Sequence, residues 1–279
     1  MVLTSNAKIN LFLKITGKRP DGYHELETIM VPIGLADTMT FTEHSELAMT
    51  CDEPLLAVDS GNLVIRAANL LRDKTGVKSG AKISLNKKIP IGAGLGGGSS
   101  NATHALKGLN RLWKLGLGDD ELEKLAGELG SDTAFFVRNR PAFATGRGEK
   151  LQPLRVDEPI PVLLLNFGFG SSTAWAYRHF VPAKNAPTPT IKSALNRKTA
   201  AQLLWNDLQT PVFQKFPILS IALDFLQKQT GVAGAMMSGS GSTLFAILES
   251  EKSGRPVADA IKKRFSKDVW TCLTKIPAG

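Results

Sequence analysis

The spacing of hydrophobic positions along the chain predicts a mixture of strands and helices without regular alternation between the two. Short segments in which apolar residues alternate or run together are typical of strands, and apolar residues three and four apart are typical of amphipathic helices. This mixture favours an α+β fold over a doubly wound parallel sheet. The predicted strands are residues 7–15, 82–87, 162–167 and 243–248 and a C-terminal strand, and the predicted helices are 62–74, 102–112, 119–129, 200–205 and 217–229 and one before the last strand.

The composition of the chain changes after Pro153, where a polar stretch precedes the apolar segment 162–167. Polar, proline-containing stretches between apolar segments are typical of domain boundaries. We therefore predict two domains, residues 1–155 and 156–279. The second contains a proline-rich loop, residues 182–190.

The composition is that of an ordinary globular protein, since 43% of the 279 residues are hydrophobic and 21% are charged. The net charge is +9, but the 34 basic residues are scattered along the chain. A scattered basic excess suits an enzyme that acts on phosphorylated small molecules better than a nucleic-acid binder. We therefore expect no nucleic-acid partner.

The cysteine content and the N-terminal segment bear on the compartment. Cys51 and Cys272 are the only cysteines, and their spacing indicates neither a zinc site nor a disulfide framework. Lys8 interrupts the apolar N-terminal segment, which lacks a signal-peptide cleavage site, and no apolar run approaches the length of a membrane span. We expect a cytoplasmic protein without a membrane partner.

A glycine-rich segment, PIGAGLGGGSSNA, occupies residues 90–102, between a predicted strand and a predicted helix. A helix start offers backbone amides without intrahelical acceptors and the positive end of the helix dipole. Glycine lets such amides approach an anion closely and permits positive φ angles. Residues 90–100 are therefore predicted to form a phosphate-binding loop.

Two familiar nucleotide motifs fit this loop poorly. Residues 92–97 match GxGxxG, but a dinucleotide-binding unit needs a strand after the following helix, whereas residues 119–129 predict another helix. The lysine of the Walker motif is missing, because no GK[ST] follows the glycines. A different kind of ATP loop is indicated.

The loop resembles the PxxxGLGSS signature of the GHMP kinases, a superfamily named for galactokinase, homoserine kinase, mevalonate kinase and phosphomevalonate kinase. Two further segments resemble its other motifs, AKINLFLKITGKRPDGYHELETIM at residues 7–30 and GAMMSGSGSTLFAIL at 234–248. Together with ELGSDTAFFV at 128–137, they resemble the branch that acts on 4-diphosphocytidyl-2-C-methyl-D-erythritol in the non-mevalonate isoprenoid pathway.

This resemblance spans nearly the whole chain and implies a two-domain fold. The N-terminal domain would be like domain 2 of ribosomal protein S5, and the C-terminal domain would be ferredoxin-like. The implied activity is ATP-dependent phosphorylation of the 2-hydroxyl of that cytidyl substrate.

The resemblance assigns catalysis to Asp132 and Lys8. Asp132, in the context Gly-Ser-Asp, matches the family's aspartate that acts as base toward the substrate hydroxyl; from the sequence alone it could be a helix N-cap. Lys8 lies within an apolar strand, where an ammonium group is costly unless it is paired or functional, although it could extend to the strand edge. The family lysine at this position pairs with the aspartate and assists the transferring phosphate.

The resemblance also implies which residues bind ATP. The family places the asparagine matching Asn62 by the adenine and the lysine matching Lys87 near polar groups of nucleotide and substrate. From the sequence alone, Asn62 is a candidate helix N-cap and Lys87 a solvated charge at a strand end. The expected ATP-binding residues are Asn62, Lys87, Pro90, Gly92, Gly94, Leu95, Gly96, Gly97, Gly98, Ser99 and Ser100.

Recognition of the cytidyl substrate is implied for a second set of residues. In the family, the residues matching Tyr23 and His24 stack on the cytosine and bond its edge, and the aromatic residue matching Tyr177 closes the other face. Otherwise, Tyr23 and His24 are ordinary surface residues and Tyr177 a core aromatic. The turn 238–242 is either a plain hairpin connection or a brace for the phosphate loop. The expected substrate-binding residues are Asn10, Tyr23, His24, Thr173, Tyr177 and Gly239.

Magnesium is expected to arrive with ATP, because no cluster of Asp, Glu and His has the spacing of a dedicated metal site. Ser99 or Ser100 is the candidate for a hydroxyl ligand. Asn101 stands where the family commonly has aspartate, so the helix start carries one negative charge fewer. A monomer or weak homodimer is expected. Two alternatives stay open, a sister kinase for homoserine or mevalonate and a non-catalytic nucleotide- or RNA-binding module.

Overall fold

The computed structural model describes residues 1–182, 187–189 and 194–279, in which strands and helices are mixed along the chain. The strands are β1 (Val2–Lys18), β2 (His24–His44), β3 (Leu47–Cys51), β4 (Gly80–Asn86), β5 (Ala142–Gly146), β6 (Lys150–Pro153), β7 (Arg155–Val156), β8 (Ile160–Asn166), β9 (Ala194–Leu195), β10 (Trp205–Asn206), β11 (Val232–Met237), β12 (Leu244–Leu248) and β13 (Trp270–Ile276). The helices are α1 (Leu63–Thr75), α2 (Gly97–Leu112), α3 (Asp119–Leu129), α4 (Phe135–Arg138), α5 (Thr173–Arg178), α6 (Arg197–Gln202), α7 (Gln209–Lys215), α8 (Pro217–Gln227) and α9 (Gly254–Arg264), preceded by a 3₁₀ turn at Glu251–Ser253.

The chain divides into two units assembled from interleaved segments. Unit 1 consists of Met1–Ala7, Leu35–Ile89 and Gly96–Asn139, and unit 2 consists of Lys8–Gly34, Pro90–Leu95 and Arg140–Gly279. The long strands β1 and β2 contribute residues to both. The predicted domain boundary after residue 155 stays a prediction.

Unit 1 combines a small sheet with helices α1 to α4. The second part of β2 pairs antiparallel with β4, from Thr38 opposite Asn86 to His44 opposite Gly80, and β3 pairs parallel with β4. Helices α1, α2 and α3 pack on one another. Gly108 of α2 lies so close to Phe41 that a Cβ would meet the Phe41 ring at 2.5 Å, so only glycine permits this packing. The buried core of unit 1 includes Met39, Phe41, Leu71, Ile83, Ala105, Leu106, Leu109 and Val137.

The helix ends in unit 1 follow from their sequence. The Asn62 side chain accepts the backbone amide of Val64 at the start of α1, and Gly76 closes the helix with a φ of 72°. At the start of α3, the Glu121 carboxylate accepts the backbone amide of Gly118. These signals predicted both helices almost to the residue.

Unit 2 contains an antiparallel sheet in the order β11-β12-β8-β13. Leu163 of β8 lies opposite Ala246 of β12 and Leu273 of β13. Helix α8 packs on β11 and β12, and α9 packs on β8 and β13. The fully buried side chains of this core include Leu163, Leu165, Leu219, Leu226, Ala246 and Ile261.

The second part of β1 and the first part of β2 belong to unit 2 and pair there with further strands. The first part of β2 pairs antiparallel with β5, which forms a hairpin with β6. Residues Phe12 and Leu13 of β1 pair parallel with β10. Short strands β7 and β9 pair parallel with each other.

The α+β prediction is confirmed, and each of the four located strand predictions falls on an observed strand. The helix predicted over 217–229 corresponds to α8, but the one predicted over 200–205 is wrong in its bounds, because α6 ends at Gln202 and β10 begins at Trp205. Much of the predicted loop 182–190 lies outside the described residues. In the described part of the chain, no helix is long and apolar enough to cross a membrane.

Candidate active site

The first half of the phosphate loop, Pro90–Leu95, belongs to unit 2 and is braced there by the turn between β11 and β12. The Ser238 hydroxyl donates a 3.0 Å hydrogen bond to the Gly94 carbonyl. A Cβ on Gly94 would lie 2.1 Å from the Ser238 carbonyl oxygen, and Gly94 has a φ of 77°. The turn is thus a hairpin connection that also braces the loop, and the predicted brace is confirmed.

Two backbone hydrogen bonds hold two further residues of the same half of the loop, Gly92 and Ala93. The amide of Ser171 donates to the Gly92 carbonyl, and the amide of Thr243 donates to the Ala93 carbonyl. Gly92 has a φ of 62°. Together with the Ser238 hydroxyl, these amides engage three consecutive carbonyls of the loop, those of Gly92, Ala93 and Gly94, and so fix its path.

The second half of the loop forms the start of α2 in unit 1. Gly96 is the N-cap, with a φ of 70°, and α2 begins at Gly97. The first turn, residues 97–100, contains no acidic residue, so nothing in it competes with a bound anion for the amides. The loop therefore leads into a helix N-terminus, as predicted, and its role in binding phosphate stays a prediction.

The two serines of the loop differ in accessibility. Ser100 is fully buried, and its hydroxyl accepts a 2.8 Å hydrogen bond from the Ser5 hydroxyl. Ser99 is half-buried. Ser99 is therefore the serine whose hydroxyl can reach a ligand.

Lys87 forms a buried ion pair in unit 1. Its ammonium lies 2.5 Å from an Asp37 carboxylate oxygen and 3.1 Å from the Asn101 side-chain oxygen. The Lys87 side chain is 8% exposed and Asp37 is 0% exposed. The interpretation of Lys87 as a solvated strand-end charge is wrong. The same ammonium lies 3.3 Å from where a Cβ on Gly97 would be, so the cation borders the phosphate loop.

Asp37 and Asn101 complete this polar cluster. Asp37 accepts the backbone amides of Lys88 and Ile89, which fixes the chain just before the loop. The Asn101 amide donates to Asp37 and to the Ser5 hydroxyl. The uncharged Asn101 is thus required as a donor between two acceptors, which explains why this chain lacks an aspartate here.

Asp132 lies in the short connection between α3 and α4, also in unit 1. It is half-buried, while Thr133 is fully buried. The Thr133 hydroxyl donates to the Gly130 carbonyl and to the Ala126 carbonyl. Helix α4 has Ala134 as its N-cap, so the alternative role of Asp132 as an N-cap is wrong. Its predicted role as base stays a prediction.

Lys8 and Asn10 lie on the same face of β1 in unit 2. The Lys8 ammonium donates a 2.6 Å hydrogen bond to the Asn10 side-chain oxygen, and the Lys8 backbone amide donates to the Leu95 carbonyl. Both side chains are 3% exposed, so the alternative in which Lys8 extends to the strand edge is wrong. Lys8 is held beside the phosphate loop.

Gly239 lies against this pair. A Cβ on Gly239 would be 3.1 Å from the Gly94 carbonyl oxygen, 3.2 Å from the Asn10 side-chain oxygen and 3.4 Å from the Lys8 ammonium. Its φ is 54°, a conformation that favours glycine. Unit 2 therefore brings together four predicted site residues, Lys8, Asn10, Gly94 and Gly239.

The aromatic residues predicted to recognise the base form two contacts in unit 2. The rings of His24 and Tyr177 stack, with centroids 5.3 Å apart and planes at 27°. Tyr23 is 51% exposed, and the Arg147 guanidinium lies 4.8 Å from its ring centroid. Tyr177 also packs against the core, which confirms its alternative role, while its contact with the base stays a prediction.

Burial and the nearby charge of Lys18 hold the pKa of His24 below its usual range. His24 is therefore neutral at neutral pH and offers one hydrogen-bond donor and one acceptor. Thr173, at the start of α5, forms a 2.9 Å hydroxyl–hydroxyl hydrogen bond with Ser240 of the brace turn.

Family models match the chain in two places. Residues 62–140 match the N-terminal domain of the GHMP kinases and residues 191–267 match their C-terminal domain. The chain belongs to the GHMP kinases.

Among its relatives, proteins named 4-diphosphocytidyl-2-C-methyl-D-erythritol kinase are prominent, and the resemblance found in the motifs is confirmed. One from Prosthecochloris aestuarii is 41% identical over 93% of each chain, and one from Chlorobaculum tepidum is 40% identical over 98% of this chain and 96% of its own. A crystal structure of 4-(cytidine 5'-diphospho)-2C-methyl-D-erythritol kinase is 34% identical, covers 100% of both chains and has a TM-score of 0.82. The mevalonate kinase of Methanococcus jannaschii, 18% identical with a TM-score of 0.76 over 99% of this chain and 98% of its own, shares the fold.

Three buried polar residues of this GHMP kinase were not singled out from the sequence. Asp37 pairs with Lys87, the Thr28 hydroxyl accepts the Asn10 amide, and the Thr103 hydroxyl donates to the Thr133 carbonyl. Asp37 takes an inward position of β2 between the buried Leu35 and Met39, and a carboxylate at an apolar position is a sequence signal for a functional or paired charge. For the two threonines no signal exists, since threonine is common in strands and tolerated in helices.

Asp132 belongs to unit 1 and Lys8 to unit 2. Of the described residues, no three of His, Cys, Asp and Glu are grouped so that they could hold a metal ion.

Proposed function

We propose that this protein transfers the γ-phosphate of ATP to the 2-hydroxyl of 4-diphosphocytidyl-2-C-methyl-D-erythritol, in the non-mevalonate route to isoprenoid precursors. The observation that carries the proposal is the group of Lys8, Asn10, Gly94 and Gly239, in which a buried ammonium is held against the phosphate loop. Relatives of 38–41% identity over nearly the whole chain carry the name of this kinase.

The nucleotide binds through the phosphate loop. As a GHMP kinase the protein uses ATP, and the amides at residues 92–100 would receive its phosphates. Lys87 borders the loop but is committed to Asp37, so it contributes a fixed positive charge rather than a mobile contact. At the start of α1, the Asn62 side-chain oxygen accepts the Val64 backbone amide, and its NH₂ group donates to the Ala57 carbonyl. Asn62 would therefore shape the adenine site by holding the local backbone.

In the chemical step, Asp132 takes the proton of the substrate 2-hydroxyl as that oxygen bonds to the γ-phosphorus. The bond between the γ-phosphorus and the bridging oxygen breaks, and ADP leaves with the electron pair. Lys8 stabilises the charge on the transferring phosphoryl group, and Asn10 fixes the position of the ammonium.

Magnesium would accompany ATP, and the Ser99 hydroxyl is the protein group that would help to hold it. The residues fit this arrangement, since Ser99 offers an accessible hydroxyl at the helix start while Ser100 is buried. The ion would supply neutralisation of the developing phosphate charge.

The cytidyl end of the substrate would bind to three aromatic residues of unit 2, Tyr23, His24 and Tyr177. The base stacks on Tyr23 and Tyr177, which present ring faces, and the neutral His24 bonds its edge with one donor and one acceptor. Thr173 is the first residue of the helix that contains Tyr177 and would contact the same substrate.

We further propose that the protein acts in the cytoplasm as a monomer or weak homodimer, without a nucleic-acid or membrane partner. Its two cysteines are free, and each is half-buried. The free thiols fit a reducing compartment, and ATP and the cytidyl substrate are both small soluble molecules.

The sister kinases are less well supported, because the mevalonate and homoserine kinase structures are only 16–18% identical to this chain. A single assay separates the candidates. ADP formation is measured with the cytidyl substrate, homoserine, mevalonate and no acceptor, with Mg²⁺ and with EDTA. Turnover with the cytidyl substrate alone supports the proposal, and turnover only with another acceptor would overturn it.

Two variants test the residue roles. Asp132→Asn should retain binding of ATP and of the cytidyl substrate while turnover falls by about a hundredfold or more.

Replacing Tyr23 and His24 together by Ala should raise KM for the cytidyl substrate and leave KM for ATP unchanged. If the double variant raises KM for ATP as much as KM for the cytidyl substrate, Tyr23 and His24 do not form the cytosine-binding site.

A further inference from the structure

A chain of hydrogen bonds runs from Lys8 through Asn10 and Thr28 to the backbone of β1, entirely within unit 2. The Lys8 ammonium is 2.6 Å from the Asn10 side-chain oxygen, and the Asn10 amide nitrogen is 2.8 Å from the Thr28 hydroxyl. That hydroxyl is 2.6 Å from the Phe12 carbonyl oxygen. Lys8 and Asn10 are 3% exposed and Thr28 is 2% exposed.

The direction of every bond in this chain is fixed by chemistry. A carbonyl oxygen only accepts, so the single proton of the Thr28 hydroxyl is donated to Phe12. Toward Asn10 the hydroxyl can then only accept, so the Asn10 group facing it must be the NH₂. The Asn10 oxygen consequently faces Lys8, whose ammonium can only donate.

Removing the Thr28 hydroxyl removes the acceptor that holds the Asn10 NH₂, while the Lys8 ammonium still requires the Asn10 oxygen. Without the hydroxyl, a flip of the amide would place NH₂ against the ammonium, donor against donor. A buried donor without an acceptor is costly, so the unflipped state would also be strained. Gly239 leaves little free space on the other side, because a Cβ there would already lie 3.2 Å from the Asn10 oxygen.

We infer that Thr28 is a positioning residue, which anchors the Asn10 amide and through it holds the Lys8 ammonium in place beside the phosphate loop. In this role Thr28 acts through Asn10. The inference rests on the proposed function, because the catalytic consequence follows from the role of Lys8 in phosphoryl transfer.

The test compares Thr28→Val, which keeps the shape and removes the hydroxyl, with Thr28→Ser, which keeps the hydroxyl. We expect Thr28→Val to lower kcat about tenfold, with KM for ATP and for the cytidyl substrate changed less than twofold. Thr28→Ser should restore kcat to within about threefold of the parent protein. Thr16→Val is the matched control, because the Thr16 hydroxyl also bonds a carbonyl across β1 and β2, that of Glu25, but is exposed.

A double-mutant comparison separates positioning from loss of stability. If Thr28 acts through Asn10, Thr28→Val introduced into Asn10→Ala should change kcat less than twofold. Equal fold-losses with and without Asn10 would overturn the inference, and so would a normal kcat in Thr28→Val.

An orientation measurement keeps the inference distinct from the proposed function. The side-chain NH₂ signal of Asn10, assigned by its loss in Asn10→Ala, should exchange slowly in the parent protein and in Thr28→Ser, and rapidly in Thr28→Val. If the parent protein shows no turnover with the cytidyl substrate, the proposed function fails while this measurement still decides the hydrogen-bond order. Unchanged exchange in Thr28→Val overturns the inference even if the enzyme is active.

Discussion

The Thr103 hydroxyl in α2 donates a 2.7 Å hydrogen bond to the backbone carbonyl of Thr133, the residue after Asp132. The helix that begins with the phosphate loop therefore also holds the connection that carries the proposed base. Both threonines are fully buried, so the bond is shielded from water. In unit 1, the loop and Asp132 are thus positioned by one helix.

Thr103→Val tests this link. The substitution removes the Thr103 hydroxyl from the buried Thr133 carbonyl, which then keeps only the backbone amide of Phe136. The lost hydrogen bond should cost about 1 kcal/mol of unfolding free energy and let the Asp132 connection shift. We expect kcat to fall about tenfold while KM for ATP stays close to normal. Urea unfolding and steady-state kinetics measure the two effects. Thr103→Ser is the control that keeps the hydroxyl, and a normal kcat in Thr103→Val would show that the link does not position Asp132.

The sequence predicted the elements that local signals define. Asn62 and Gly76 cap the two ends of α1, and the glycine run marks the start of α2. These ends were predictable because capping and φ preferences depend on a few adjacent residues. The prediction that the helix at α6 extends to Trp205 was wrong, because Trp205 lies in β10 and pairs with Phe12, which is far away in the sequence. Tertiary pairing overrides helical spacing there.

Part of the candidate site was predictable in the same way. Motif residues such as Lys8 and Gly239 were found by resemblance, whereas Thr28 and Asp37 were not. Their importance comes from partners distant in sequence, Asn10 for Thr28 and Lys87 for Asp37. Only the fold shows that these side chains meet.

Asn101→Asp is expected to destabilise unit 1. The Asn101 amide donates to Asp37, so an aspartate would place a second carboxylate against a fully buried one and remove two donated hydrogen bonds. Lys87 offsets part of the repulsion, and we expect a loss of about 2 kcal/mol in the free energy of unfolding. Urea unfolding at neutral pH measures it. Asn69→Asp on the exposed side of α1 is the control and should change stability by less than about 0.5 kcal/mol. Equal stability of the two variants would contradict the assigned cluster.

Gly94→Ala is expected to displace the phosphate loop. The added Cβ would meet the Ser238 carbonyl oxygen at 2.1 Å, and a φ of 77° is strained for alanine. The loop must move away from its brace, and kcat/KM for ATP should fall about a hundredfold. Gly127→Ala in α3 is the control, because nothing lies within 4 Å of its added Cβ, and it should stabilise the protein by about 0.5 to 1 kcal/mol. Near-normal use of ATP by Gly94→Ala would show that the brace does not hold the loop.

His104 is expected to make stability depend on pH. It lies in α2, one turn after Ser100, and its Nδ1 donates a 2.8 Å hydrogen bond to the Ser100 carbonyl. Burial lowers the pKa of His104 from 6.5 to about 4, against the opposing effect of that hydrogen bond, and the positive charges of Lys107 and Arg111 lower it further. The folded protein therefore keeps His104 neutral under conditions in which the unfolded chain protonates it.

The sign follows from this difference. Because the folded-state pKa is the lower one, the contribution to stability is complete above pH 6.5 and is lost as the pH falls from there toward 4. The loss from His104 should reach about 2 kcal/mol between pH 7 and pH 5. Urea unfolding at pH 7, 6 and 5 measures the slope. His104→Gln cannot take up this proton, so its unfolding free energy should fall less steeply, whereas exposed His44→Gln should keep the parent slope. If His104→Gln and the parent protein lose stability equally over this range, the buried neutral histidine of α2 is not what makes the protein acid-sensitive.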